Sequence, residues 1–315
     1  MIYSATGSRQ TVDRVAPGCE RTEVTVIAVL FAALALLAVG FVAVWGIEAR
    51  KASDSPDPGL PNAERIAVGF FSNFFDALGI GSFATSTTYF RFRKLVRDEL
   101  IPGTLNVGHC LPTITQAFIG IAIIEVDPLT LILMIATAVA GAWCGAGVVS
   151  RLPRRAIQVG MGLALLIAAG FMLAKLTGLM PSSATGTLDL QGWRLAVGLV
   201  GSFFLGTIMP LGIGYYAPCM VLVSMLGMSP RATFPIMMGA CAFLMPVASA
   251  QFVRKKRYSL RAALGLAAGG IFGSALALLV VKELELRKVM WLVTVVVVYT
   301  GLSLIWSAAT EKRAA

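Results

Sequence analysis

Charge is the scarcest property of this sequence. Only 13% of its 315 residues are Asp, Glu, Lys or Arg, against 57% hydrophobic, and the mean hydropathy is +0.81. A soluble globular domain carries about 25% charged residues, so that class is excluded and an integral membrane protein remains. Histidine occurs once, at His109, and the five cysteines have no C-x-x-C spacing. Nothing therefore points to a metal site, a redox site or a disulfide framework. Cys110, Cys144, Cys219 and Cys241 lie inside apolar runs and read as small buried side chains, while Cys19 stands alone before the first run. G-x-S-x-G, H-E-x-x-H and repeated acidic metal motifs are also missing, so no enzymatic activity and no cofactor are expected.

The formal charge of +10 comes from Lys and Arg gathered in loops between hydrophobic runs. This is the distribution that the positive-inside bias produces, so the partner implied is the lipid bilayer and not nucleic acid.

What the chain has in quantity is apolar sequence in runs of spanning length. Such runs, separated by short polar loops, predict an all-α helical bundle in the cell (inner or plasma) membrane, crossing it several times. Residues 1–23 read as a tail, 24–46 as an accessory transmembrane helix and 47–65, rich in Ser, Pro and Asp, as a linker. Val24 to Trp45 is too long for a signal peptide, whose apolar part is about 7–15 residues. A first transporter repeat is expected over 66–176, a connector over 177–193, a second repeat over 194–308 and a C-terminal tail over 309–315.

One broken apolar stretch occurs in each half. The first runs Ala67 to Tyr89 and the second Ala196 to Val223. Both open with Ala-Val-Gly, carry a Phe-Phe pair at Phe74-Phe75 or Phe203-Phe204, and reach Leu-Gly-Ile-Gly at 78–81 or 211–214, the second after four extra residues. Paired apolar segments interrupted by Gly or Pro in two halves point to a transporter's binding site. If each stretch spans, the chain has nine spans, and the basic loops at 91–97 and 254–257 fall on opposite sides. If each is a re-entrant hairpin, there are seven spans plus two re-entrant elements, the repeats are inverted, and the strongly basic loops share one side. The second arrangement is favoured and puts the N-terminus outside; nine spans is the alternative.

Backbone freed from helix at membrane depth is tolerated only where protein buries it or it lines a wet cavity. Gly79, Gly81, Gly212 and Gly214 are accordingly placed at a ligand, where glycine amides and a helix N-terminus suit an anion. Ser82, Thr85, Ser86, Thr87 and Thr88 follow the first break, and Tyr215 and Tyr216 follow the second. Neither stretch contains a basic residue. Asp76 sits inside the first, where a charge costs about 2.5–3.5 kcal/mol, as either a proton carrier or an acceptor of helix amides that holds the break in shape. The next span brings Asn106, His109 and Gln116, with Pro112 among them. The candidate substrate-binding set is Asn73, Asp76, Gly79, Gly81, Ser82, Thr85, Asn106, His109, Pro210, Gly212, Gly214 and Tyr215. Gly141, Gly145, Gly269, Gly270 and Gly273 are instead read as close helix packing.

At these residues the sequence resembles the sulfite exporter TauE/SafE (TSUP) family of anion permeases. The matching elements are Gly69-Phe70, Asp76 and Gly79-Ile80-Gly81 in the first half and Pro210-Leu211-Gly212-Ile213-Gly214 in the second. Leu105-Asn106-Val107 is similar to the family's Thr-Asn-Lys element without its Lys, and Leu205 stands where many members have a second Asp. The resemblance covers about residues 66–308. It implies a permease or exporter of a small anion, such as sulfite or an organosulfonate, with a homodimer and coupling to H+ or Na+ left open. A non-transporting anchor or scaffold subunit and a passive anion channel are the alternatives.

Overall fold

The computed structural model describes residues 17–50, 59–77, 81–120, 126–179, 187–211, 215–280 and 287–314. Among them every regular element is a helix, joined by short turns and loops, and the one extended pairing is an isolated bridge between Thr187 and Met228. The helices are α1 (Pro17–Arg50), α2 (Ala63–Ala77), α3 (Ser82–Phe92), α4 (Ile101–Gly120), α5 (Pro128–Val149), α6 (Arg154–Leu176), α7 (Gly192–Ile208), α8 (Tyr216–Met225), α9 (Pro230–Arg254), α10 (Leu260–Val280) and α11 (Arg287–Ala314). Among the described residues six helical segments are long and apolar enough to cross a membrane: Ala28–Arg50, Pro128–Val149, Arg155–Ala174, Gly192–Leu211, Pro235–Arg254 and Leu260–Leu279.

Helix boundaries differ from the sequence expectation: α1 runs on to Arg50 and α2 begins at Ala63, both inside the expected linker, and α7 begins at Gly192, inside the expected connector. α1 starts at Pro17, inside the expected tail, and α11 runs to Ala314 through the expected C-terminal tail. Helix extends past an apolar run wherever the flanking residues tolerate it, and proline is suited to a first helical position because its missing amide would have no partner there.

α4 and α9 pack on each other at the centre. α10 packs on α2 and α4, while α5 packs on α7 and α9; α6 packs on α11, and α1 lies against α9 and α4. The burial follows. Every residue from Ile101 to Cys110 is buried, whereas much of α1 is exposed, as a lipid-facing helix would be. In a bilayer, helices associate by close packing and not by expelling water, which favours glycine at crossings. On α10, a Cβ at Gly269 would overlap the Ile66 carbonyl and one at Gly273 the Phe70 carbonyl. On α5, Gly141 and Gly145 meet the Phe203 and Thr207 carbonyls in the same way.

The two interrupted elements fold back on themselves. Tyr89 Oη and Arg93 Nε both reach Glu64 Oε1, at 3.0 and 2.8 Å, so the outer ends of α2 and α3 lie together. Thr187 N donates to the Gly227 carbonyl at 3.1 Å and Ser229 N to the Thr187 carbonyl at 2.9 Å, which joins the end of α8 to the segment that leads into α7.

These ends lie on opposite faces. One face gathers Arg91 with Asp98 at 2.7 Å, Lys255 Nζ on the Gly147 carbonyl at 3.1 Å, Arg257 Nη2 on the Leu152 carbonyl at 3.0 Å and Arg261 Nε on the Leu60 carbonyl at 2.9 Å. The other joins Asp127 N to the Leu188 carbonyl at 3.0 Å and Leu190 N to Thr130 Oγ1 at 3.2 Å. The loops at 91–97, 151–155 and 254–257 therefore share a side.

Candidate functional site

Each break places its flanking side chains against α4. Residues 78–80 and 212–214, which include Gly79, Gly212 and Gly214, lie outside the described residues. Gly81 is the N-cap of α3 with φ 96°, a left-handed conformation that glycine adopts without strain, and a Cβ there would meet nothing within 4 Å.

Asp76, buried near the end of α2, accepts from Ser82 N at 2.7 Å and from Gln116 Nε2 at 3.0 Å. Its carboxylate thus spans the first break and takes the first amide of α3. No Lys or Arg of the described residues acts on it; its partners are neutral donors. Of the two roles open to Asp76, this is the geometry of the amide acceptor.

Gln116 also reaches Ser274 Oγ on α10 at 3.1 Å and accepts from Tyr216 Oη on α8 at 2.9 Å. A carboxylate can only accept, which fixes the amide nitrogen towards Asp76 and leaves Oε1 for the Tyr216 hydroxyl. A second chain runs beside the first. His109 Nδ1 faces Asn73 Oδ1 at 3.0 Å, and His109 Nε2 faces Ser86 Oγ at 3.0 Å. Asn73 Nδ2 donates to the Gly69 carbonyl at 2.8 Å, so its Oδ1 is an acceptor and His109 carries its proton on Nδ1. Ser86 then donates to Nε2. His109 is fully buried and joins α2, α3 and α4.

Asn106 Nδ2 donates to the Pro102 carbonyl at 2.8 Å and reaches the Pro210 carbonyl, at the second break, at 3.3 Å. Among the described residues its Oδ1 is buried and has no partner. Asn73, Asp76, Ser82, Asn106, His109 and Pro210 are thus brought together around α4.

Two of the candidates go elsewhere. Thr85 Oγ1 is turned back on its own helix, onto the Gly81 and Ser82 carbonyls at 3.1 and 2.9 Å. Tyr215 Oη pairs with Ser202 Oγ at 2.6 Å, and Ser202 in turn donates to the Met134 carbonyl, so this hydroxyl serves the packing of α7 and α5. Its neighbour Tyr216 is the tyrosine that meets the first half of the chain. The candidate set omits Gln116, Tyr216, Ser86 and Ser274; the first two are polar residues of apolar helices beside the breaks, which was the available signal, whereas nothing local marks Ser274. Compared with known proteins, the chain matches no family model, no curated protein and no solved structure.

Proposed function

We propose that the chain is a secondary carrier of a small anion, of the sulfite or organosulfonate class, which binds between two re-entrant hairpins in the cell membrane. The observation that carries this reading is the meeting of both breaks on α4. There Asn106 reaches the Pro210 carbonyl, and Gln116 joins Asp76 to Tyr216. Asn106 Oδ1, a buried acceptor with no partner among the described residues, lies beside the Pro210 carbonyl. The resemblance to the TauE/SafE family supports the substrate class.

Reciprocal packing supports an inverted repeat. Exchanging α2 with α7, α3 with α8, α4 with α9, α5 with α10 and α6 with α11 converts the α2–α10 contact into α7–α5 and the α4–α10 contact into α9–α5, and leaves α4–α9 and α6–α11 unchanged. The hairpins then open to opposite faces, as seven spans with two re-entrant elements require.

The packing also favours a register without a gap. α3 and α8 both close with the same bond around a left-handed residue: Leu95 N to the Phe90 carbonyl past Lys94, and Met228 N to the Val223 carbonyl past Gly227. The interval from Lys94 to Gly227 equals that from Gly81 to Gly214 and from Phe70 to Phe203. The pair matching Phe203-Phe204 is then Phe70-Phe71 and not Phe74-Phe75, the four extra residues disappear, and Met209 instead of Leu205 stands opposite Asp76. Alternating access would be the motion of one half against the other around α4 and α9.

Flux in liposomes containing the purified full chain tests the proposal, with sulfite, sulfoacetate, taurine and sulfate offered in turn. Saturable uptake of one anion, accelerated by the same anion on the far side, is the expected result. Unsaturable flux without that acceleration would make the protein a channel. No movement of any of the four by correctly inserted protein would turn the reading towards an anchor or scaffold subunit.

A further inference from the structure

We infer that Gln116 is the positioning residue that clasps the two breaks together and controls when they part, an inference that rests on the carrier reading for its role in transport. One fully buried side chain on α4 holds three other helices: α2 through Asp76, α10 through Ser274 and α8 through Tyr216. Asp76 extends this hold to the first amide of α3 through Ser82 N. A hydrogen-bonded path thus runs from Tyr216, the second described residue after break two, through Gln116 and Asp76, to the residue that follows break one. Both hairpins cannot separate from α4 without breaking it.

The path has a direction, and this makes it specific to glutamine. Asp76 needs a donor from α4, and Tyr216 needs an acceptor or leaves its hydroxyl proton buried and unpaired. A neutral amide supplies both at once. Leucine supplies neither. Glutamate has the right length, but when ionised it supplies only acceptors, and two carboxylates at this separation do not both stay charged. Only the protonated form of a Gln116→Glu side chain can donate to Asp76 while accepting from Tyr216. The other groups facing the position are Ser274 from α10, which does not titrate, and Cys241 from α9, which lies within electrostatic reach of Asp76. His109, on the same helix, is engaged with Asn73 and Ser86.

The test uses thiol access, which needs no transport. Cys219 and Cys241 are buried beside Tyr215, Tyr216 and Asp76. In the full chain carrying Cys19→Ser, Cys110→Ala and Cys144→Ser, reconstituted in liposomes, the rate of alkylation of the two remaining thiols reports opening between the breaks. Each variant is read as a ratio to this parent at the same pH, which removes the thiols' own pH dependence. Tyr216→Phe, which keeps the ring and the fold, is expected to raise the rate about fivefold, and Gln116→Leu about tenfold or more. Gln116→Glu is expected to stay within about twofold of the parent from pH 5 to pH 8, because the paired carboxyls keep the one shared proton that makes the clasp, a rescue that a merely space-filling residue would not give. A Gln116→Glu rate as high as that of Gln116→Leu across this range, or a parent-like rate in Tyr216→Phe, would overturn the clasp. Sulfite flux in the same liposomes separates the two proposals. If the parent moves no anion but labelling follows this pattern, the clasp stands and the carrier reading falls. If the parent transports and labelling ignores the substitutions, the clasp falls alone.

Discussion

His109 and Asn73 meet across the α2–α4 contact with Nδ1 and Oδ1 3.0 Å apart, and the other ring nitrogen is held by Ser86 on α3. The only histidine of the chain is thus the joint of three helices beside the first break. His109→Ala leaves the Asn73 oxygen and the Ser86 hydroxyl buried without a partner, which is expected to lower stability by about 1–3 kcal/mol. Reversible unfolding in mixed micelles measures it. His109→Asn, which restores a donor to Asn73, is expected to recover part of the loss.

Asp76→Asn replaces one acceptor oxygen with a donor, while both neighbours, Ser82 N and Gln116 Nε2, are themselves donors. One of the two bonds is lost and the other loses its charge, at a cost of about 1.5–3 kcal/mol. Anion flux should fall with it, because the first break loses the group that ties it shut. Normal flux and stability in this variant would count against Asp76 as the holder of the break.

Gly81 and Gly273 are sensitive for different reasons. At Gly273 a Cβ would strike the Phe70 carbonyl, so Gly273→Ala is expected to force α2 and α10 apart and cost about 1–3 kcal/mol. At Gly81 space is free but φ is 96°, so Gly81→Ala strains only the backbone, by about 1–3 kcal/mol, and should impair flux while leaving insertion intact. Gly170→Ala on α6, where a Cβ meets nothing within 4 Å and the backbone is helical, is the control and should be neutral or stabilising by about 0.5–1 kcal/mol. Thermal midpoints of the three variants, set beside their flux, separate these effects.

Glu64 closes the water-facing end of the first hairpin. Hydrogen bonds from Arg93, then from Tyr89, hold its carboxyl below the ordinary value of 4.5. A depressed carboxyl stabilises the fold above its unfolded value and loses that contribution as the pH falls through the folded one. The difference in thermal midpoint between the wild type and Glu64→Gln should therefore be constant from pH 6 to 8, at least about a unit above that value, and shrink below it. A difference that persists well below pH 4 would mean that Glu64 acts through packing.

Much of the helix pattern was legible because apolar length is a local property. The apolar runs within the two expected repeats, 66–176 and 194–308, carry α4, α5, α6, α9, α10 and α11, with helix ends shifted by a few residues where polar neighbours continue the turn. The packing glycines were also readable, since small residues spaced along an apolar helix have few other uses. Tyr215 was chosen over Tyr216 from order alone, yet Tyr215 precedes α8 and Tyr216 is its first residue, and the fold sends one hydroxyl to Ser202 and the other to Gln116.

The sequence by itself determined the environment of this protein, its helices and the two interrupted stretches, because hydropathy and the backbone demands of glycine and proline act over a few residues. The tertiary structure alone decided which side chains share a hydrogen bond. Gln116 lies far along the chain from Asp76, Tyr216 and Ser274 and meets all three only after α2, α8 and α10 have packed around α4. A buried polar atom must find its partner wherever the fold brings one, and no local pattern records that distance.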